Sequence, residues 1–251
     1  MVFESYAEDY DIFYQHKAYQ KECRYLKNIF NRYALKHPQT ILDLGCGTGN
    51  YLIPLAQMKY KLTGIDASAQ MLAIAKTKLK KFKLKAELQQ GLLQDFQIQK
   101  DFDAVICMFS VIDYVTKKAD LSKTFKNIYQ HMKPGAVFVF DCWQKEAVEE
   151  GYSKTRKRVF KGSGYRVERS SQTTLLPEKN MCEVQYHCTV TKGKDICHQY
   201  DETHTLRYFS ITEMKSYLEK AGFKVLNIHP FLKPNGRPKK SDWDVTVVVQ
   251  K

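Results

Sequence analysis

Ile41-Leu42-Asp43-Leu44-Gly45-Cys46-Gly47-Thr48-Gly49-Asn50 decides how this 251-residue chain is read. An apolar run closes on three glycines at alternate positions. That predicts a buried strand, a tight turn and a helix opening near Tyr51. Glycine reaches backbone angles closed to other residues and lets the main chain pass close to a ligand. A glycine-rich turn after a strand also opens many dinucleotide sites, so this pattern by itself leaves the ligand open. A second apolar run, Tyr60 to Ile65, ends in Asp66. An acidic residue at the end of a second strand is placed to accept hydrogen bonds from a ribose. A nicotinamide site more often reads G-x-G-x-x-G. Here Tyr51 and Leu52 follow Asn50, with no third glycine at that offset.

Asp43-Leu44-Gly45-Cys46-Gly47-Thr48-Gly49 resembles motif I of the class I S-adenosylmethionine-dependent methyltransferases. Gly64-Ile65-Asp66-Ala67-Ser68 resembles the next motif of that family. Phe102-Asp103-Ala104-Val105-Ile106-Cys107-Met108 and Met132-Lys133-Pro134-Gly135-Ala136 resemble the two after it. The four stand in order across residues 40 to 141. The resemblance implies an α/β fold, a Rossmann-like seven-stranded sheet, with S-adenosyl-L-methionine as methyl donor. It implies donor contacts from Asp43, Gly45, Cys46, Gly47, Asp66 and Ala67, and from Met71, Leu92, Leu93 and Met108. Asp43 is expected to bond the turn amides or to reach the donor's amino group through water. Many relatives carry an acidic residue where this chain has Leu92. Adenine is therefore expected to be held by apolar packing of Leu92 and Leu93 and by backbone groups.

Length and composition suit one domain, or one domain with a sizeable insertion. Apolar residues make up 43% of the chain, enough for a core, and no apolar run approaches the length that spans a bilayer. Met1 to Asp11 is acidic and aromatic, unlike a signal or transit peptide. Seven cysteines without paired zinc spacing read as free thiols, and Cys182 and Cys188 fall on one strand. These features lead to the expectation of a cytoplasmic protein without a metal site. The net charge of +13 points to an anionic partner. The plain alternative is a solvated surface, since Lys76, Lys78, Lys80, Lys81, Lys83 and Lys85 crowd one helix end and its loop.

Aromatic residues at 3, 6, 10, 13 and 14 fit one face of a short helix. The bland reading is core packing. The functional reading is a lid over the donor that brings Tyr14, His16 or Tyr19 near the methyl group. A second helix is expected from Ala18 to Lys36, with Cys23, Leu26, Phe30 and Tyr33 on one stripe and Pro38 as its stop. Ser68 is placed to cap the helix carrying Met71, Leu72, Ala75 and Leu79. Ala86 to Gln90 is the third strand and Phe102 to Met108 the fourth. The ligand of an open parallel sheet sits beyond the carboxyl ends of its strands, so residues 109 to 114 should border the acceptor. A helix from Leu121 to Met132 is followed by a turn at Pro134-Gly135 and a fifth strand from Ala136 to Asp141.

Beyond Trp143 the period changes to two. Cys182, Val184, Tyr186, Cys188 and Val190 alternate with polar residues, Gly193 turns the chain, and Ile196, His198, Tyr200, Glu202 and His204 alternate again. This predicts an antiparallel hairpin with one wet face, part of a β subdomain over the site. Ser210-Ile211-Thr212-Glu213 reads as a capping box for a helix ending at Gly222. Phe223 to Ile228 and Trp243 to Gln250 close the sheet, with a basic loop from Lys233 to Lys240 between them. The organisation expected is a helical lid at 1–37, a donor-binding core at 38–145, an inserted antiparallel β subdomain at 146–206, and closing elements at 207–251.

Methyl transfer from a sulfonium is a direct displacement, so the protein must exclude water, align the nucleophile and deal with one proton. Tyr14 and Tyr114 are the expected catalytic residues, because both flank the predicted donor pocket. His187, His198 and His204 compete for a proton-handling role, against the plain reading of strand histidines with satisfied hydrogen bonds. Tyr10-Asp11-Ile12-Phe13-Tyr14, Cys107-Met108-Phe109-Ser110, Glu183-Val184-Gln185-Tyr186 and His204-Thr205-Leu206 are similar to nucleotide-linked amino-sugar N-methyltransferases. That similarity implies an acceptor amine on a sugar carried by thymidine diphosphate, with Arg237, Lys239 and Lys240 meeting the diphosphate. Those relatives tend to have a histidine after the fourth strand, where this chain has Tyr114. Another small amine such as glycine, or donor binding without catalysis, remain alternatives. A homodimer is compatible with the reading, and a membrane is not. Nucleic acid is disfavoured: the loop after the fourth strand lacks an Asn/Asp-Pro-Pro-aromatic clamp, and no RNA-binding module is appended.

Overall fold

The apolar runs become the centre of a mixed seven-stranded sheet in the computed structural model, which describes residues 6–162 and 164–251. Strands β1 (Thr40–Leu44), β2 (Lys61–Asp66), β3 (Glu87–Gln90), β4 (Phe102–Cys107) and β5 (Met132–Trp143) run parallel. Two antiparallel strands from the end of the chain, Lys224–Pro230 and Asp244–Gln250, complete one edge. Numbering them β10 and β11 in chain order, the sheet reads β10-β11-β5-β4-β1-β2-β3. The order reverses between β1 and β4, the switch point where open α/β sheets bind ligands.

The central strands are continuous apolar runs because both faces are covered. Ile41, Ala104 and Ile106 point to one side, against α2 (Tyr19–Tyr33) and α3 (Leu52–Gln57). Leu42, Leu44, Val105 and Cys107 point to the other, against α5 (Lys118–Gln130) and α7 (Ile211–Lys220). The helix after β2, α4 (Ala69–Lys81), is capped by Ser68 as its sequence predicts, the hydroxyl oxygen accepting from the Met71 amide at 3.2 Å.

After β5 and α6 (Lys145–Gly151) the chain builds a separate antiparallel sheet of four strands. These are β6 (Thr155–Lys161), β7 (Arg166–Leu176), β8 (Met181–Lys192) and β9 (Asp195–Arg207). The hairpin read from the alternation is β8–β9. Its even positions on β8 are the inward face, with Cys182, Val184, Cys188 and Val190 all buried. Helix α1 (Tyr6–Phe13) lies on that face, Tyr6 and Phe13 packing with Val167, Cys188 and Val190. Phe3, the first aromatic of the expected helical stripe, lies outside the described residues.

Four sequence expectations shift. Helix α2 ends at Tyr33 rather than Lys36, because Ala34 turns extended (ψ 138°) before the proline is reached. Leu35 then leaves the helix and lies against Gly135, where an added Cβ would come within 2.5 Å of it. Met132 does not close α5. It opens β5 by pairing with Phe102, and Pro134-Gly135 becomes an irregularity inside the strand. The capping box at α7 is half formed: Ser210 accepts from the Glu213 amide at 3.2 Å, but the Glu213 carboxylate takes Arg207 at 2.6 Å. Ile196, which opens the alternation read along β9, is 61% exposed, beyond a register shift of the β8–β9 pair.

Candidate active site

The glycine turn leaves β1 at the switch point. The Gly45 and Cys46 amides both donate to the Ile65 carbonyl, at 2.8 and 2.9 Å. Asp66, at the end of β2, accepts from the Gly47 amide on Oδ2 at 2.8 Å and from the Ser68 amide on Oδ1 at 2.9 Å. Asp43 is therefore not the partner of the turn amides. It is buried beneath them, and burial, then the neighbouring Asp66, push its carboxyl up. Gly45 needs to be glycine because a Cβ would meet Val111 at 2.3 Å. Gly47 has φ +53°, and a Cβ there would meet nothing within 4 Å, so bare backbone borders open space.

That space is a cavity of about 740 Å³, running from the glycine turn across the end of β4 to the four-stranded sheet. At one end it is bordered by Gly45, Gly47, Asp66, Ala67 and Met71, and by Leu92 and Leu93. An adenosyl sulfonium fits this end on three grounds. The backbone is bare at Gly47, the Asp66 carboxylate borders the space with accepting capacity beyond its amide bonds, and Leu92 and Leu93 offer an apolar wall. Of the residues named from sequence, Tyr14 and Tyr114 also line the cavity.

Tyr19, Asp43, Cys46 and Met108 do not reach its wall. Tyr19 packs edge-on to Tyr51, with ring centroids 5.2 Å apart. Cys46 covers Gly64, whose added Cβ would lie 2.7 Å from the thiol. Met108 is buried in the core with Ile106 and Val139. The next residue, Phe109, turns toward the cavity instead.

Phe109 and Ser110 both adopt left-handed backbone (φ +73° and +57°). Asp141, at the end of β5, accepts from their amides at 2.6 and 3.1 Å and so offsets that strain. Phe109 then meets Tyr14 edge-on at 4.8 Å. Burial raises Asp141 to about 7 and Asp244, on the adjoining strand, to about 6. Lys17 lies in the same wall, ion-paired to Glu22 at 2.5 Å, with its ammonium 4.5 Å from the centre of the Phe109 ring.

Helix α1 is tied to the glycine turn by one carboxylate. Asp11 accepts from Thr48 at 2.7 Å, Asn50 at 2.9 Å and Lys78 at 2.7 Å. The four-stranded sheet forms the far wall. It contributes Arg156 and Arg158 from β6, Arg169 from β7, Tyr186 from β8 and His204 from β9. Arg169 donates to the Tyr6 hydroxyl and stacks on Phe13 and Phe160, 4.7 and 5.0 Å from their centres. Trp143 and Trp243 meet at 5.4 Å beside these arginines.

His187 and His198 are on exposed positions, His187 paired with Asp201 at 2.8 Å. Only His204 of the three reaches the cavity; it is 3% exposed and bonded to the Tyr114 hydroxyl at 2.7 Å. The basic loop does not deliver Arg237, Lys239 or Lys240 to the cavity. It is held at the sheet edge, where Asn235 accepts from Arg32 at 2.8 Å and the Lys239 carbonyl accepts from Gln144 at 2.8 Å. Among the described residues the cationic side chains at the cavity are Lys17, Lys117 and the arginines of β6 and β7, which the sequence reading passed over. Arg156 and Arg158, two residues apart on a strand, share a face. That spacing was the signal available.

Residues 41–135 match a family described as a methyltransferase domain. The chain is 31% identical over 224 residues to the dTDP-3-amino-3,6-dideoxy-alpha-D-glucopyranose N,N-dimethyltransferase of Streptomyces fradiae, covering 87% of this chain and 84% of that one. It is 28% identical over 224 residues to the dTDP-3-amino-3,4,6-trideoxy-alpha-D-glucopyranose N,N-dimethyltransferase of Streptomyces venezuelae, covering 88% and 90%. Its fold matches the crystal structure of an S-adenosylmethionine-dependent methyltransferase from Clostridium acetobutylicum with a TM-score of 0.83, at 22% identity over 98% and 97% of the two chains. Among the described residues no helix is long and apolar enough to cross a membrane.

Proposed function

This chain belongs to the S-adenosylmethionine-dependent methyltransferases, and from that premise we propose that it methylates the amine of a nucleotide-linked amino sugar. The observation that carries the reading is the two-ended cavity. One end offers bare backbone and a carboxylate, the other Arg156, Arg158, Arg169 and a tryptophan pair. A methyl donor occupies the first end in this reading, its ribose on Asp66 and its adenine against Leu92 and Leu93. The arginines are suited to a diphosphate and the indoles to a base plane. The named activities of the Streptomyces relatives favour the same acceptor class.

Methyl transfer then needs little from the protein beyond position. S-adenosyl-L-methionine supplies an activated methyl group. Helix α1 and Tyr14 act as a lid that excludes water, with Asp11 as its tie to the glycine turn. Phe109 and Tyr14 border the line along which the amine approaches, and Tyr114 orients the amine from the acceptor side. Alignment of this kind accounts for a large share of a displacement's acceleration.

The test is a thermal-shift panel with S-adenosylhomocysteine, NAD, and S-adenosylhomocysteine together with thymidine diphosphate. A ligand at about a hundred times its dissociation constant adds roughly 2.7 kcal/mol to stability. Stabilisation by S-adenosylhomocysteine with a further step on adding thymidine diphosphate is expected. No further step moves the acceptor to a small free amine. Methylation is then followed by mass spectrometry on a dTDP-3-amino-3,6-dideoxy sugar.

A further inference from the structure

Tyr114 ends the short 3₁₀ turn Val111–Tyr114 that follows β4, and its ring faces the acceptor half of the cavity. Its hydroxyl is 2.7 Å from His204 Nδ1, and His204 Nε2 is 3.0 Å from Glu202 Oε1. The last two groups are withdrawn from solvent, with side chains 4% and 10% exposed. An ionised carboxylate only accepts, so the ring nitrogen facing Glu202 carries the hydrogen. Nδ1 is then the acceptor for the Tyr114 hydroxyl. The arrangement points a hydroxyl at a base that is itself oriented by a carboxylate, the logic of an acid–base triad. It is assembled from two places far apart in the chain, the turn after β4 and the last strand of the four-stranded sheet.

We propose that Tyr114, His204 and Glu202 form a proton relay that strips the acceptor amine before methyl transfer. The inference rests on the amine reading above. An amine is mostly protonated near neutral pH, and an ammonium has no lone pair with which to attack. In the relay the ammonium gives its proton to the Tyr114 oxygen as Tyr114 gives its own to His204 Nδ1. The imidazolium so formed stays paired with Glu202. The freed lone pair forms the new N–C bond while the methyl carbon's bond to sulfur breaks, the electron pair remaining on sulfur. The proton held on His204 passes to water when the product leaves. The methylated product is again an ammonium, so a second methylation would call on the same relay.

Burial, with further contributions from Tyr14 and Tyr186, pushes the Tyr114 hydroxyl up, which disfavours a standing phenolate and suits a hydroxyl that hands one proton on as it takes another. The titratable and charged groups facing the relay are Tyr6 and Tyr10 from α1, Tyr14 after it, Asp113 beside Tyr114, Tyr186 from β8, and Arg169 behind the tyrosines. Asp66, Asp120, Asp141 and Asp244 are the rival bases, being carboxylates in the same cavity.

The experiment compares wild type, Tyr114→Phe, His204→Gln, Glu202→Gln and Asp244→Asn on dTDP-3-amino-3,6-dideoxyglucose across pH. Each variant is first checked for the wild-type thermal shift with S-adenosylhomocysteine, and Glu202→Gln keeps a conservative member in the set. Tyr114→Phe and His204→Gln should lower kcat near neutral pH by about a hundredfold or more, with KM changed far less. The His204→Gln deficit should shrink as pH rises and the amine loses its proton unaided, whereas a purely structural defect would persist at every pH. Histidine-labelled protein should show His204 as the Nε2–H tautomer. A deficit constant with pH, an Nδ1–H tautomer, or the pH-dependent deficit appearing in Asp244→Asn instead of His204→Gln would each overturn the relay. Wild type that fails to methylate this amine overturns the acceptor reading and the relay's role with it, while active wild type with an unimpaired His204→Gln variant overturns the relay alone.

Discussion

The two ends of the cavity are built from different materials. The proposed donor end is mostly main chain: amides of the glycine turn, satisfied within β2 and the turn, plus one carboxylate that holds the turn in place. The proposed acceptor end is side chain: arginines from two strands of one sheet, Trp143 at the end of β5, Trp243 just before β11, and a tyrosine and a histidine 90 residues apart. A backbone site must be glycine where the chain turns or is approached closely, and that constraint is local in sequence. A side-chain site is constrained only by where distant elements meet. The first kind of site tolerates few changes and the second can be altered residue by residue.

The largest test of this contrast is Gly47→Arg. Its left-handed backbone costs an L-residue about 1–2 kcal/mol, and its side chain would extend into the open donor end. The stabilisation by S-adenosylhomocysteine should vanish, a loss of roughly 2.7 kcal/mol at about a hundred times the wild-type dissociation constant. Circular dichroism should show the fold retained. Undiminished binding would remove the glycine turn from the donor site.

Changing the other end should spare the donor. Arg156→Ala with Arg158→Ala should weaken thymidine diphosphate binding by about tenfold, near 1.4 kcal/mol, because both arginines are partly in water. Calorimetry on the S-adenosylhomocysteine complex measures this. An equal loss of S-adenosylhomocysteine affinity would mean that the two ends are not separable.

A smaller effect is expected at the tie between lid and turn. Asp11→Ala removes three hydrogen bonds, yet its ion pair with Lys78 is partly exposed, the aspartate side chain 39% open. Exposed pairs contribute little, about 1 kcal/mol or less. The melting temperature should hardly move, while the S-adenosylhomocysteine dissociation constant rises a few-fold by calorimetry. A variant with wild-type affinity would return α1 to a packing role.

A different kind of effect concerns pH. Asp244 is raised to about 6, so the folded chain holds its proton more tightly than the unfolded chain does. That contribution to stability is full below the unfolded value near 3.9 and is lost as pH rises through about 6. Asp244→Asn should flatten part of this fall in urea-unfolding free energies measured between these limits. Asp141, raised to about 7, keeps a slope in both proteins. Identical slopes would show that Asp244 titrates as an ordinary surface acid.

Much of the frame was legible because its signals are periodic or local. β1, β2, β4, the Ser68 cap and the β8–β9 alternation are each encoded within a few residues of themselves. The misses follow from the opposite cause. Met132 looks like the last turn of α5, and only its pairing with Phe102 makes it a strand residue. β6 has no apolar alternation to read, since most of it is exposed, and so its arginines went unassigned. The loop at Lys233–Lys240 carries the denser positive charge, but hydrogen bonds to Arg32 and Gln144 keep it at the sheet edge.

By itself the sequence determined the sheet, its switch point and the glycine turn, because backbone geometry leaves so few residues able to make that turn. Tertiary structure alone decided which tyrosine meets which histidine, which cations face the cavity, that Asp66 rather than Asp43 holds the glycine turn, and that Asp141 braces the strained turn after β4. Those facts depend on how two sheets and one helix come together, and no spacing along a single chain segment records that approach.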